Sequence, residues 1–489
     1  MPAAGQNGCR DPRDGWMASN PTTGKTRGEG ELGLPFRSSL INLPAHHQNN
    51  LLQHLETNDP SPIDSEYDVI VDGAGPAGIA AAIASARDGA KTLLFSQAAT
   101  LGGFSANTFV HSLCGLYVVS QDIIPRPANG GLALEFVEHL INASAGGRPL
   151  RVGPFDMIFQ SPIQYAQQCQ EICRREKNLT MALNTRLDSV EASDNRIESV
   201  CLEGREEPVR ARAFVDSTRE AELAFLAGAD FEGTESCSRR RQAFIFSISG
   251  QDADATDDEG RRRFSELIVQ GVCSGVLTPQ IGLAVMRLVQ LDENPDACVG
   301  LDAEGDHFSA LNPDSLIRFQ ILSGNLAMEL GNYLRANMPG FQKCDVAVVP
   351  AQACERESRR VTGRHRLTEE DLQSCPDFED AVCRSGWPIF ADPSLLGATV
   401  FDPMRARTCA VPLRALISKD IGNLLMAGRC ISSAYVAQGA LRVFGTSLAI
   451  GQASGLAAST TARSEEMTIP EGSEAEAAAR IRAAFESGL

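Results

Sequence analysis

The stretch "YDVIVDGAGPAGIAAAIASARDGAKTLLF", Tyr67 to Phe95, sets two apolar runs on either side of a glycine turn and an alanine-rich segment. Val69 to Val71 is short and β-branched, helix formers follow from Pro76 until Gly89 stops them, and Thr92 to Phe95 is apolar again. That order predicts strand, turn, helix, strand: one βαβ unit. Gly73, Gly75 and Gly78 fall in a G-x-G-x-x-G spacing directly after the first strand. Gly73 permits the tight turn, Gly75 lets the backbone approach a pyrophosphate, and Gly78 allows close helix packing, while the helix N-terminus attracts negative charge. Pro76 suits the first helical turn, where its missing N–H is not needed. Gly73, Gly75, Pro76, Ala77 and Gly78 are therefore expected to bind a dinucleotide.

The carboxylate that normally ends the second strand and binds ribose hydroxyls is missing. Ser96 and Gln97 stand there instead. A serine hydroxyl still hydrogen-bonds a ribose, at roughly half the strength of a charge-assisted contact. No Arg or Lys is adjacent to hold a 2′-phosphate.

Further along, "RIESVCLEG" and "VRARAFVDS" alternate as short strands between Leu183 and Phe214, and "AFIFSIS", Ala243 to Ser249, reads as another strand. From about Gly250 to Gly397 acidic linkers and helices take over, one of them running from about Asp314 to Ala336. A strand returns in "NLLMAGR", followed by the Gly/Ala-rich helix "TSLAIGQASGLAAST". Two βα segments some 350 residues apart predict one nucleotide-binding domain built from both ends of the chain, with a second domain inserted. The expected division is an extension over 1–65, a binding domain over 66–235 and 401–465, a substrate domain over 236–400, and a tail over 466–489. Within the extension, Met17 is an alternative start.

Composition narrows the classes. A net charge of -18 repels nucleic acid and anionic lipid over the surface as a whole. No apolar run approaches the roughly 20 residues of a membrane span, and no signal segment is evident. Fourteen cysteines without a C-x-x-C pair or zinc-like spacing read mostly as buried thiols of a reducing, cytoplasmic compartment; Cys169 and Cys173 share a helix face, and no metal site is expected.

Three more stretches carry a family resemblance. They are "LGG" at Leu101 to Gly103, "ACERESRRVTGRHRLTEEDL" at Ala353 to Leu372, and "NLLMAGRCISSAYVAQGALRVFGTSLAIGQASGLAA" at Asn423 to Ala458. From about Tyr67 to Arg463 the chain resembles FAD-dependent oxidoreductases of the glutathione-reductase-like superfamily, proteins with two dinucleotide-binding domains. The resemblance implies an α/β fold: a Rossmann-like FAD-binding domain carrying an inserted α+β substrate or cap domain. It implies FAD as cofactor, with Gly102 and Gly103 along the pyrophosphate and Gly428 and Arg429 at the flavin end. Gly445, Thr446 and Ser447 would open a helix toward the isoalloxazine, where the partial positive charge of a helix N-terminus favours the reduced ring. Ser96 and Leu187 complete the expected cofactor-binding set. One departure sits in "FVDSTREAELAF": Arg219 follows Thr218 where the family has a glycine close to the cofactor. Its side chain either crowds that position or grips a phosphate.

His111 and Cys114, in "HSLCGLY", follow the LGG loop and are the candidate catalytic groups near the ring. Arg356 and Arg360, in "ERESRR", are candidates for anchoring an acidic substrate, against the alternative of an ion-pair cluster with Glu355 and Glu357. "WPIFADP" offers only Asp392 where family members show a histidine, which leaves the general base unassigned. "SGWPIF" lacks the second tryptophan of a flavin halogenase motif and is set aside. The expected activity is oxidation of a small organic, acidic or neutral molecule by hydride transfer to flavin. The alternatives are a flavin monooxygenase and a non-catalytic binding module on the same fold. Oligomeric state is left open.

Overall fold

The computed structural model describes residues 62–110, 112–120, 122–143, 149–152, 154–233, 242–252, 255, 257–283, 285–288, 297–303, 312–350, 358–388 and 407–487. His111, Arg356, Asp392 and nearly all of the N-terminal extension lie outside these residues.

Strand β1 (Glu66–Asp72) runs through the Gly73 turn into helix α1 (Pro76–Arg87) and on to β2 (Thr92–Phe95). β1 and β2 pair in parallel, from Val69 opposite Thr92 to Asp72 opposite Phe95. Val69, Ile70, Val71, Leu93, Leu94 and Phe95 have no exposed surface, as strands covered on both faces require. A small antiparallel sheet follows, made of β3 (Ser112–Leu113), β4 (Pro149–Val152) and β5 (Phe155–Phe159), with β5 in the middle. Helix α2 (Leu132–Ala143) lies between β3 and β4 in the chain, and α3 (Pro162–Arg174) follows β5. Cys169 and Cys173 are buried on one face of α3, as their spacing predicts.

β6 (Leu179–Ala182) extends the main sheet beside β2. β7 (Leu187–Ser193), β8 (Arg196–Leu202) and β9 (Val209–Asp216) form the antiparallel ribbon. Its hairpin turns on Asp194 and Asn195, both at positive φ of 46° and 59°, the two-residue turn that matches strand twist and that short polar side chains tolerate. The sheet order is β6-β2-β1-β9-β8-β7.

After α4 (Glu222–Leu226) and β10 (Phe231–Glu232), a second hydrophobic cluster forms. It is built from Phe244, Phe246 and Ile248 of β11 (Gln242–Ser249), Phe264 and Ile268 of α5 (Asp258–Cys273), and the buried stripe of α6 (Pro313–Asn337). α6 begins where Asn312 Oδ1 accepts hydrogen bonds from the Asp314 and Ser315 N–H groups and Pro313 occupies the first turn. β12 (Val285–Leu288), β13 (Ala297–Ala303) and β14 (Asp345–Val348) complete a four-stranded sheet with β11.

The chain returns to the first core earlier than the expected boundary near residue 400: Val361 of β15 (Arg360–Val361), Leu372 of α7 (Glu369–Ser374) and Val382 of β16 (Ala381–Ser385) belong to it. β16 pairs with β17 (Cys409–Pro412). One pair stands apart from the expectation of mostly buried thiols: Cys375 and Cys409 form a disulfide. The C-terminal end of α7 and the start of β17 bring their Cα atoms to 4.7 Å, a proximity that residues 34 apart in sequence do not advertise.

β18 (Leu424–Met426) then enters the main sheet parallel to the end of β9, pairing Leu424 with Phe214 and Met426 with Asp216. α8 (Tyr435–Leu441) leads into α9 (Phe444–Arg463), which lies directly on α1. A Cβ on Gly451 would stand 2.1 Å from the Ala77 carbonyl oxygen, and one on Gly455 the same distance from that of Ala81. Only paired glycine and alanine faces permit this approach. α10 (Glu474–Ser487) ends the described chain. Among the described residues no helix is long and apolar enough to cross a membrane.

Candidate functional site

The carboxyl ends of β1, β9 and β18 point the same way, and ligands of open parallel sheets bind at such an edge. There the chain leaves β1 through Gly73, whose φ of +105° suits glycine. Ser217, just past β9, braces the turn, its Oγ lying 2.7 Å from the Asp72 carbonyl oxygen and 2.9 Å from that of Gly73. A Cβ on Gly78 would meet the Gly73 oxygen at 1.8 Å, so Gly78 is needed for packing. Gly75 differs: a Cβ there meets nothing within 4 Å. Gly75 also starts α1 with no side-chain cap, leaving first-turn N–H groups facing that opening.

The LGG loop closes over the same turn. Gly102 donates its N–H to the Ala74 carbonyl oxygen at 2.9 Å, and a Cβ on Gly103 would stand 2.7 Å from Gly75 Cα. At the end of β2, Ser96 is buried, with its N–H on the Ala182 oxygen, its carbonyl accepting from Thr185 N–H, and its Oγ accepting from Ala98 N–H. The hydroxyl proton remains to be donated. Leu187 turns its side chain into the first core, so any contact it makes with a ligand runs through its backbone.

The second opening is the start of α9. Phe444, Gly445, Thr446 and Ser447 are buried there, and Val443 provides no side-chain cap. Gly445 N–H donates to the Cys114 carbonyl oxygen at 2.9 Å, and Gly115 and Gly445 pack against each other. A buried helix start without a capping side chain calls for a polar partner, and an anionic or acceptor-rich group suits it. Because α1 and α9 lie in contact, both helix starts belong to one rigid frame. The donors fit an extended molecule with a pyrophosphate at Gly75 and a ring rich in acceptors at α9.

Gly428, at φ +74°, opens the neighbouring turn. Arg429 is buried, with its Nε donating to the Arg219 carbonyl oxygen at 2.8 Å and its Nη2 3.8 Å from Glu220 Oε1. Arg219 itself lies with Nε 3.2 Å from the same Glu220 oxygen. One carboxylate therefore gathers both guanidinium groups. Arg360 is buried, donating from Nε to the Ser433 oxygen at 2.9 Å and reaching Glu232 at 3.3 Å. Arg359 stacks 4.0 Å over the Phe225 ring and donates to the Glu220 backbone carbonyl oxygen. Cys114 is half-buried, its Sγ 3.3 Å from Met157 Sδ.

Sequence reasoning missed Asp72. It closes the apolar run Val69–Val71, beside Asp216 in the register, and its Oδ2 is buried without a hydrogen-bond partner. The visible signal was an acid directly before the glycine turn. Burial, then the charges of Asp216, Glu222 and Glu220, push the Asp72 carboxyl well above the usual carboxylate range. Burial also raises Asp216, but that carboxylate accepts hydrogen bonds from Thr218 N–H, Thr218 Oγ1 and Ala224 N–H. Of the pair, Asp72 is the carboxyl pushed higher, having no donor to compensate its burial. Its contribution to stability is present below its unfolded value and lost as pH rises through the raised folded one. Asp72→Asn should thus gain on the native chain as pH rises, by about 1–3 kcal/mol at pH 8 and less at pH 5, read from urea unfolding. An equal difference at both pH values would contradict the assignment.

A family model described as "FAD dependent oxidoreductase" matches residues 68–470. Among solved structures, similarity extends to a geranylgeranyl bacteriochlorophyll reductase-like protein from Thermoplasma acidophilum. It is 10% identical, covers 86% of this chain and 87% of its own, and has a TM-score of 0.43. The OxyS anhydrotetracycline hydroxylase from Streptomyces rimosus is 13% identical, with coverage of 86% and 66% and a TM-score of 0.43. The p-nitrophenol 4-monooxygenase PnpA from Pseudomonas putida DLL-E4 is 11% identical, with coverage of 87% and 86% and a TM-score of 0.38.

Proposed function

The chain belongs to the FAD-dependent oxidoreductases, and from that premise we propose that it dehydrogenates a small organic molecule held against the start of α9. The observation that carries this reading is the pair of helix starts without capping side chains, α1 at Gly75 and α9 at Phe444, locked together through Gly451 and Gly455. Bound FAD supplies the two-electron oxidation. In this reading Gly73, Gly75, Pro76, Ala77 and Gly78 hold the pyrophosphate with Gly102 and Gly103 behind it. The Ser96 hydroxyl and the Leu187 backbone serve the nucleoside end.

Gly428, Arg429, Gly445, Thr446 and Ser447 serve the ring, where N–H donors of α9 compensate negative charge. Cys114, bonded through its carbonyl to Gly445, borders the reacting face. Arg360 is drawn into contacts with Ser433 and Glu232, which favours a structural role for it over anchoring an acidic substrate. The test is an absorption spectrum of purified protein before and after incubation with FAD, followed by anaerobic mixing with candidate alcohols and amines. Flavin bands that bleach with one of them support the proposal. Protein that stays colourless after incubation rejects it.

A further inference from the structure

The small sheet β3–β5–β4 has one face in the core and one half-open, and the two differ in chemistry. Along β5, Asp156 and Ile158 are buried, while Phe155, Met157 and Phe159 alternate with them and are half-buried. The charged pair of the sheet, the exposed Arg151 with the buried Asp156 at 2.6 Å, lies on the same face as Ile158, since Arg151 stands opposite Asp156 in the register. Leu150 stands opposite Met157 and is 39% exposed. Ser112 stands opposite Phe159, and two residues beyond it Cys114 brings its sulfur to Met157. The open face is therefore Phe155, Met157, Phe159, Leu150, Cys114 and, at its edge, Ser112: mainly apolar, polarizable and without the sheet's charges.

Trp387 closes one end, its ring centroid 4.7 Å from that of Phe155 at 33°. It is held there firmly. Ser385 Oγ donates to the Ala440 oxygen at 2.9 Å, the Trp387 N–H lies 3.4 Å from that Oγ, and Thr446 Oγ1 is also 3.4 Å from it. A Cβ on Gly386 would stand 3.0 Å from Ala128 Cβ, so the strand end is wedged in place. Both ends of the face are thus tied to the first turn of α9: Cys114 through Gly445, and Trp387 through Ser385 to Thr446.

We propose that this face is the wall of the substrate site and that it selects a planar, uncharged aromatic or conjugated molecule. The proposal rests on the reading that the flavin end of FAD lies at the start of α9. Offset stacking on Phe155 and Trp387 and sulfur contacts from Met157 and Cys114 reward a flat π-system, and an aliphatic polyanion gains nothing there. A small molecule is the occupant because the patch lies beside a buried helix start that already calls for a ligand.

The test uses FAD-loaded protein titrated with 4-nitrobenzyl alcohol, an uncharged flat probe, and separately with succinate. Binding is read from the shift of the flavin bands and, in a Trp16→Phe background that leaves one tryptophan, from quenching of Trp387 fluorescence. The aromatic probe should perturb both signals and succinate neither. Phe155→Ala and Trp387→Ala should raise the Kd for the probe at least tenfold in the flavin signal, Trp387→Phe should recover most of the loss, and FAD content should not change. An unchanged Kd in both alanine variants, or succinate as the tighter ligand, overturns the proposal. Should the protein hold no FAD, the reading of the cofactor site fails, while quenching of Trp387 by the probe still decides whether this wall binds arenes.

Discussion

Gly75→Val is expected to yield a folded protein that is colourless. The backbone at Gly75 has φ −78° and ψ 177°, extended geometry that a β-branched residue adopts, and a Cβ there points into open space. The protein's own cost is the poorer helix start, about 1 kcal/mol. On the proposed placement of FAD, the two valine methyl groups would fill the opening left for the pyrophosphate, whose oxygens at such glycine turns contact backbone N–H groups directly. FAD affinity should fall at least a hundredfold, measured as flavin absorbance per protein after gel filtration. Gly78→Val is the contrasting case: its Cβ would lie 1.8 Å from the Gly73 oxygen and 2.3 Å from Ser217 Oγ, so the turn itself is disrupted and little folded protein should accumulate. A Gly75→Val protein that purifies yellow with full flavin content would remove the pyrophosphate assignment.

Gly451→Val is the second large effect, and it acts on stability. Its Cβ would stand 2.1 Å from the Ala77 oxygen and 2.7 Å from Ala77 Cα, both backbone atoms that no rotamer change moves aside. α9 and α1 must separate, and the buried seam that includes the Ser85 hydroxyl bond to the Gly455 oxygen, 3.0 Å long, opens with them. Overpacking against a rigid seam costs about 3 kcal/mol or more, visible as a lower midpoint in urea or as insoluble protein. Whatever fraction folds should also hold FAD poorly, because the two helix starts no longer share one frame. Gly324→Val on α6, where a Cβ meets nothing within 4 Å, is the matching control and should stay within about 1 kcal/mol of the native chain. Equal destabilisation by the two substitutions would mean that the seam is not the constraint.

The parts of this architecture that repeat with a period were legible in the sequence. β1, the glycine turn, α1 and β2 fall where the apolar runs and breakers of Tyr67 to Phe95 put them, and α6 begins at its Asn-Pro signal. The buried pairing of α9 with α1 left a compositional trace only, a helix rich in Gly and Ala whose partner the sequence does not name. Single contacts between residues distant in sequence, from 34 positions to more than two hundred, left no trace. Ser217 bracing the Gly73 turn, Trp387 on Phe155 and Cys375 with Cys409 are of this kind. Each is one side chain meeting another by virtue of the whole fold, with no local propensity to announce it. Arg219 was visible as an unusual residue, but its pairing with Glu220, and that carboxylate's tie to Arg429, depends on where β9 and the Gly428 turn meet.

The seam between α1 and α9 also sets the timetable of biosynthesis. Ala77 and Ala81 are translated early, but the glycines they rest against lie 374 residues later in both cases, 451 − 77 and 455 − 81. At about 5–20 residues per second the ribosome needs roughly 20–75 s to cover that distance. Throughout that interval the first βαβ unit is tethered with its small-residue face bare, and β18, which joins the same sheet on the far side of β9, is not yet made. Closure of the two helix starts into one frame therefore waits until α9 has been made.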